Sequence, residues 1–363
     1  MPRQRLLEIK THFMHLKNIA HNLIRPRIRR GRFANHQKVS QFELHKIGDS
    51  LSRRLERRVG DAAPRQPVPV QQLTRKRLLA AADNTVYRLG HSTVLMKLDG
   101  EFWLTDPVFC ERAFPVQWAG PKRFHPSPIA PEDLPPIKAV LLSHDHYDHL
   151  DKAAIARLAH KVEHFLTPLG VGDLLREWGV DERKIRQFDW WESGAVDKVQ
   201  CVATPAQHFS GRGARDSNKR LWCSWTILTG THRIFFSGDS GYFAGFREVG
   251  DHYGPFDLTL IETGAYDRNW VDVHMLPEQS LQAHLDLRGK CMLPIHNGTF
   301  DLSIHPWYEP FERVYAAAET ARVQLATPRM GQAVSLGRPP GVDLWWRELL
   351  EPDLVAQLDQ APR

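Results

Sequence analysis

The amino-acid sequence predicts one α/β (α+β) domain built from two mixed β-sheets with helices outside. Two observations carry this. Short apolar runs come first in hairpins and later alternate with helical patterns. The composition, 42% hydrophobic and 25% charged over 363 residues, is that of a chain with ample core rather than a disordered one. No apolar run nears the ~20 residues that a membrane span needs. The start lacks the apolar core and cleavage site of a secretory signal.

In chain order, residues 1–80 read as a basic amphipathic N-terminal segment with a linker, and 81–363 as the main domain. Residues 1–80 hold 19 Lys/Arg and 5 Asp/Glu, whereas the remainder is acidic on balance. Leu6, Ile9, Phe13, Leu16, Ala20 and Leu23 fall at helical spacing, and Pro26 should end that helix near Arg25. A second helical pattern runs through Leu44, Ile47, Leu51, Leu55 and Val59, and "PRQPVPV" reads as extended. Such a segment suits helices packed on the domain or a partner, an anchor through residues 1–60 on an anionic membrane surface, or an organelle transit peptide. Nucleic-acid binding is disfavoured, because the basic run lacks interleaved aromatics and the body is acidic. Cys110, Cys201, Cys223 and Cys291 are widely spaced, which fits a reducing, cytoplasmic setting and points any metal to nitrogen and oxygen ligands.

The body opens with "TVYRLGHSTVLMKL", "DG" and "EFWLTDPVF", read as a hairpin. "KAVLLSH" is a short buried strand, followed by helices at about 152–160 and 171–178. "KVQCVATPAQH" is a strand, and "SWTILTG" with "THRIFFSGD" a hairpin. "DLTLIET" and "KCMLPIH" are strands flanking a helix over "PEQSLQAHLDL". "YEPFERVYAAAETA" and "LWWRELLEPDLVAQL" read as helices, and Trp190, Trp191, Trp222 and Trp225 as core.

The stretch "SHDHYDHLD" at 143–151 is the densest chemistry in the chain. His144, His146, Asp148 and His149 fit H-x-H-x-D-H directly after an apolar strand, and nitrogen with carboxylate oxygen suits zinc, iron or manganese. Asp151 is better placed as the N-cap of the helix starting at Lys152. Three later strands also end in a candidate ligand: His208, Asp239 and His296. His91, in "GHST", either holds a turn or orients a ligand. Tyr266, in "GAY", either donates to a phosphoryl or carbonyl oxygen or, following glycine and alanine, simply packs.

With these residues in view, the chain from about 86 to 335 resembles the metallo-β-lactamase superfamily. "GPKRF", "FDWWE", "GAY" and "IHNGTF" are similar to the branch of N-acyl-phosphatidylethanolamine-hydrolysing phospholipase D and its bacterial relatives. The resemblance implies an αββα sandwich with two metal ions, most simply Zn2+, at its edge. His144, His146 and His208 would bind one ion and Asp148, His149 and His296 the other, with Asp239 bridging. It also implies substrate contact at His274, so that Asp148, Asp239, His274 and Tyr266 form the expected catalytic set. Paired ions lower the pKa of water from ~15.7 towards ~7 and clamp attacking and leaving oxygens.

The leading expectation is a dinuclear zinc phosphodiesterase of the phospholipase D type. A bridging hydroxide would attack (N-acyl) phosphatidylethanolamine-like lipids or other anionic esters, with the protein peripheral at a membrane. The alternatives are a soluble lactonase or sugar-phosphate hydrolase, a nuclease, and a non-catalytic metal-binding membrane protein. The chain departs from the branch at four places that bear on substrate choice: Glu262 in "IETGAY", the "DRN" of "GAYDRNW", Val273 before His274, and Asn297 in "IHNGTF".

Overall fold

The computed structural model describes residues 23–39 and 61–360. Most of the first expected helix and all of the second lie outside the described residues. The first elements are a hairpin of β1 (Arg27–Arg29) and β2 (Arg32–Ala34), then helix α1 (Arg75–Leu79). Next come β3 (Thr85–Gly90), β4 (Thr93–Leu98), β5 (Glu101–Thr105), β6 (Ile137–Leu141), α2 (Lys152–Leu158), β7 (Val162–Pro168), α3 (Val171–Glu177) and β8 (Ile185–Phe188). The second half holds β9 (Ser193–Val196), β10 (Val199–Thr204), β11 (Ser224–Leu228), β12 (Arg233–Phe236), α4 (Gly245–Tyr253), β13 (Leu258–Glu262), α5 (Pro277–Asp286) and β14 (Cys291–Ile295). It closes with α6 (Glu309–Ala321), β15 (Gln324–Leu325), β16 (Ala333–Ser335) and α7 (Pro352–Gln360).

The strands form two seven-stranded sheets, in the orders β16-β3-β4-β5-β6-β7-β8 and β15-β14-β13-β12-β11-β10-β9. In the first, β16 to β5 pair antiparallel and β5 to β8 parallel. In the second, β9 to β12 pair antiparallel and β12 to β15 parallel. The parallel strands are apolar on both faces because both faces are covered. Ala139 and Leu141 of β6 pack between the sheets with Trp225, Ile227 and Phe236. Val140 and Leu142 point the other way, onto Ile155 and Leu158 of α2 and Leu174 of α3. On the far side, Phe235 and Ile261 meet Phe246 of α4, Leu281 of α5 and Val314 of α6. The result is the expected helix–sheet–sheet–helix sandwich. Trp190, Trp222 and Trp225 lie in its core, while Trp191 is partly buried and donates to the Ile24 carbonyl at 2.7 Å.

Four local readings are refined. The turn expected at His91 divides "TVYRLGHSTVLMKL" into two strands: Gly90 at φ 144° and His91 at φ 51° turn the chain between β3 and β4. Strands β7, β8 and β9 were not foreseen: β8 and β9 are four-residue runs with partly exposed positions, and the mostly buried β7 carries Glu163 and His164 in its apolar run. The final amphipathic pattern breaks into a 3₁₀ turn over Trp345–Leu349 and α7, because Pro352 cannot continue the preceding turn. Finally, residues before 81 pack against the main domain. Val68, Leu73 and Leu78 are buried in its clusters, and Val70 bridges to Met330. "QPVPV" thus carries apolar side chains into the body.

Candidate metal centre

The loop after β6 is built on one carboxylate. Asp106, just past the end of β5, is fully buried. Its Oδ1 accepts the Ser143 N–H at 2.7 Å, and its Oδ2 accepts the Ser143 hydroxyl at 2.5 Å and His149 Nδ1 at 2.6 Å. His144 Nδ1 lies 2.9 Å from the same hydroxyl. Each ring is thereby fixed through Nδ1, leaving Nε2 to face inward. Asp151 caps α2 with Oδ1, accepting Ala153 and Ala154 N–H, and also holds Phe109 and Cys110 N–H with Oδ2. Asp145 is buried away from the ligands, where Oδ1 accepts Gly211 N–H at 2.8 Å and Oδ2 meets Arg220 at 2.7 Å.

The second sheet adds one residue per strand end. His208 follows β10, and its Nδ1–H donates to the Val273 carbonyl at 3.0 Å, which turns Nε2 inward. Asp239 follows β12 through Gly238, whose φ is 56° and whose Cβ position would lie 2.5 Å from Ser143 Cβ. Only glycine lets the two sheets' loops approach so closely. His296 follows β14 at φ 62°, an uncommon conformation for a side-chain-bearing residue, and its N–H donates to the His91 carbonyl at 3.1 Å.

These elements bring the seven expected ligands together. His144, His146, His208 and Asp239 form one group, and Asp148, His149 and His296 form another with His91. In the first, His146 Nδ1 lies 2.9 Å from His144 Nε2 and 3.3 Å from His208 Nε2. In the second, Asp148 Oδ2 is 3.3 Å from His296 Nε2 and 3.5 Å from His149 Nε2. Asp239 lies between the groups: its Oδ1 is 3.1 Å from His149 Nε2, and its Oδ2 is 3.2, 3.7 and 3.8 Å from His296, His208 and His144.

A divalent ion fits this donor set. Zinc bonds of about 2.0–2.1 Å in a tetrahedron put ligand atoms roughly 3.3 Å apart, the middle of the observed range. His149 Nε2 and Asp239 Oδ1 are buried and close, yet neither has a hydrogen-bond partner, so they converge on a common point rather than on each other.

The two groups differ electrostatically. Burial pushes His144 and His208 well below the histidine range, and burial also lowers His146. Burial opposes charge on His149 and His296 as well, but Asp239 and Asp148 outweigh it. They hold His149 well above its ordinary value and His296 at about 10. Asp148 and Asp239 are held far down against burial, chiefly by His149.

Four further residues join or leave the site. His91 does both things proposed for it. It makes the turn, and its Nε2 lies 3.0 Å from Asp148 Oδ2 while burial pushes its pKa down to about 3, so a neutral ring donates to the carboxylate. His274 stands at the open side, 14% exposed, with Nδ1 3.0 Å from Glu262 Oε2; the fully buried Glu262 also accepts Met275 N–H. Tyr266 does not join. Its hydroxyl donates to Glu309 at 2.5 Å, its ring stacks on His305, and Arg313 lies over its face, so the expected role for it is not supported. Asn297 accepts from Arg88 at 2.6 Å through Oδ1, which directs it at a buried cation. Asp106 lies at the strand end in "EFWLTDPVF", where a lone aspartate gives no sign of the three groups that donate to it.

The beta-lactamase superfamily domain pattern matches residues 103–297. The chain is 43% identical over 327 residues to an uncharacterised protein of Mycobacterium tuberculosis, covering 89% of this chain and 87% of that one. It is 36% identical over 242 residues to N-acyl-phosphatidylethanolamine-hydrolysing phospholipase D 1 of Caenorhabditis elegans, covering 62% of this chain and 67% of that protein. Among solved structures, a metallo hydrolase of the archaeon Ignicoccus hospitalis superposes with a TM-score of 0.53 at 20% identity, over 69% of this chain and 97% of that one, which shows the shared fold. The fold is that of metal-dependent hydrolases, and the histidine–aspartate clusters lie where two sheets meet. The chain therefore belongs to the metallo-β-lactamase superfamily and is related within it to the N-acyl-phosphatidylethanolamine-hydrolysing phospholipases D.

Proposed function

We propose that this metal-dependent hydrolase is a dinuclear, zinc-type phosphodiesterase that acts on (N-acyl) phosphatidylethanolamine-like lipids in the manner of a phospholipase D. The observation that carries the reading is Asp239, placed between two ligand groups so that two ions would share one carboxylate. Ions held there would supply a Lewis acid for the phosphoryl oxygen and lower the pKa of water. The remaining work falls to the chain. His274 faces the open side with Nδ1 committed to Glu262, and Glu262 raises its pKa against the effect of burial, so a proton is retained on the ring for a leaving oxygen. A narrow cleft lined by His296, Ala265, Phe300, Leu302 and Trp307 runs from the centre. Through Phe124 and Asp301 it shares its wall with a cavity of 540 Å³. Apolar residues interleaved with polar ones, Ser303 and His305 in the cleft and Lys122 and Arg123 in the cavity, suit an amphiphilic anionic ester.

Part of the proposed membrane-facing segment is described. The β1–β2 hairpin exposes Arg27, Arg29, Arg30 and Ile28, the last 70% exposed, a pattern that suits an anionic lipid surface. No helix among the described residues is long and apolar enough to cross a membrane.

The test is incubation of the metal-loaded enzyme with vesicles of N-acyl phosphatidylethanolamine, of phosphatidylethanolamine, and with a water-soluble lactone and phosphodiester. Release of phosphatidic acid supports the proposal. Turnover of the soluble compounds alone would exclude the lipid assignment.

A further inference from the structure

Asn35 reaches the metal centre from a part of the chain that the sequence places outside it. It follows β2 directly and is buried. Its carboxamide makes a two-point clasp on the main chain of His208: Nδ2 donates to the His208 carbonyl at 2.7 Å, and the His208 N–H donates to Oδ1 at 3.1 Å. His208 lies beyond β10, where the ladder no longer pairs its peptide groups. Asn35 supplies both missing partners, as a neighbouring strand would.

The same hairpin grips the loop that follows His208. Phe33 N–H donates to the Asn218 carbonyl at 2.8 Å, and the Arg32 guanidinium donates to the carbonyls of Arg215, at 3.2 Å, and Ser217. That loop is in turn tied to the H-x-H-x-D-H loop of the other sheet. Gly211 N–H and Arg220 meet Asp145, and the Tyr147 hydroxyl donates to the Arg212 carbonyl at 2.9 Å. The hairpin's other end is held too, since Trp191 donates to the Ile24 carbonyl and Ile24 N–H reaches the Glu248 carboxylate. An element fixed at both ends, with its one buried amide on a ligand's peptide, is built to hold that ligand.

We propose that the N-terminal hairpin is a working part of the metal centre, in which Asn35 is a positioning residue that holds His208 in place as a ligand of the three-histidine half. This rests on the two-ion reading of the centre and not on the identity of the substrate.

The test uses the full chain with Asn35→Ala, loaded with zinc and titrated against a chelator, and separately substituted with cobalt for its visible spectrum. Loss of a supporting hydrogen-bond partner typically weakens a metal site by about 10–100-fold. The expected result is that one of the two ions weakens by that factor and its cobalt spectrum changes, while the other ion is held as in the unaltered protein. Asn35→Asp keeps the acceptor for His208 N–H and loses the donor, so it should fall between. Gln37→Ala, exposed two residues beyond Asn35, should change neither ion. A lower melting temperature with both ions bound as tightly as before would show a merely structural role and overturn the proposal. If the unaltered protein binds no second ion, the two-ion reading fails first, and that outcome is distinct. Hydrogen exchange on the unaltered protein gives a readout free of any folding defect. Zinc should slow exchange at the His208 and Phe33 amides, and equal rates with and without zinc would contradict the clasp.

Discussion

The two sheets share one order of pairings but supply the centre in different ways. The first delivers four ligands, His144, His146, Asp148 and His149, from one loop after β6. The second delivers His208, Asp239 and His296, one each after β10, β12 and β14. In the compact loop one buried group, Asp106, fixes two of the four ligands, His149 directly and His144 through the Ser143 hydroxyl. The dispersed ligands each need their own support: Asn35 and the Val273 carbonyl for His208, Gly238 for Asp239, and the His91 carbonyl for His296. Ligands close in sequence can share one support, whereas ligands spread over strand ends cannot.

The largest effect should come from the residue that belongs to both halves. Asp239→Ala should release both ions and lower hydrolysis about a thousandfold or more, since several kcal/mol of transition-state stabilisation go with the metal. Elemental analysis beside a rate assay checks this. Retention of two ions would mean that the sheets fill separate sites. Asp106→Asn should weaken the ion held by His149 by about 10–100-fold and the ion on the His208 side less, since Asp106 touches His149 directly and reaches His144 only through the Ser143 hydroxyl. Equal loss of both ions would break the distinction.

Protons should separate the halves as well. His144 and His208 are neutral through burial, but His149 and His296 hold protons that an incoming ion must expel. Uptake in the carboxylate half should therefore release protons and tighten as pH rises, by roughly tenfold per unit for each proton displaced. Calorimetry in two buffers of different ionisation enthalpy counts them, and zero release would contradict the account.

The last effect lies where α5 meets β13 and concerns stability rather than the ions. His284 Nδ1 lies 2.7 Å from the Thr259 hydroxyl, and burial pushes its pKa down to about 4. The unfolded histidine, near ~6.5, takes up a proton first, so stability is complete above that value and falls as pH drops towards 4, by about 3 kcal/mol at most. Urea midpoints at pH 7 and 4.5 should differ less in His284→Gln than in the unaltered chain.

The comparison also explains what the sequence made legible. The four-ligand loop stands out because its residues are adjacent, and the strand-end ligands because each closes an apolar run. Asn35 and Asp106 do not stand out. Asn35 acts across 173 residues, and nothing local to "FANHQ" marks a partner there. Tyr266 misled because the path of a hydroxyl is set by Glu309, 43 residues on. The boundary at 81 followed charge, but Leu73 and Leu78 pack by shape against the first sheet, and a basic surface does not prevent that. The sandwich was readable from the alternation of strands and helices, whereas β7 to β9 owe their pairing to neighbours rather than to their own pattern.

The central claim is that two sheets hold two ions that share Asp239. Its most direct test is the number of zinc ions per chain after saturation and gel filtration, followed by activity as the ions are added back. The account predicts two ions, with hydrolysis rising only as the second is taken up. One ion per chain with full activity would contradict it.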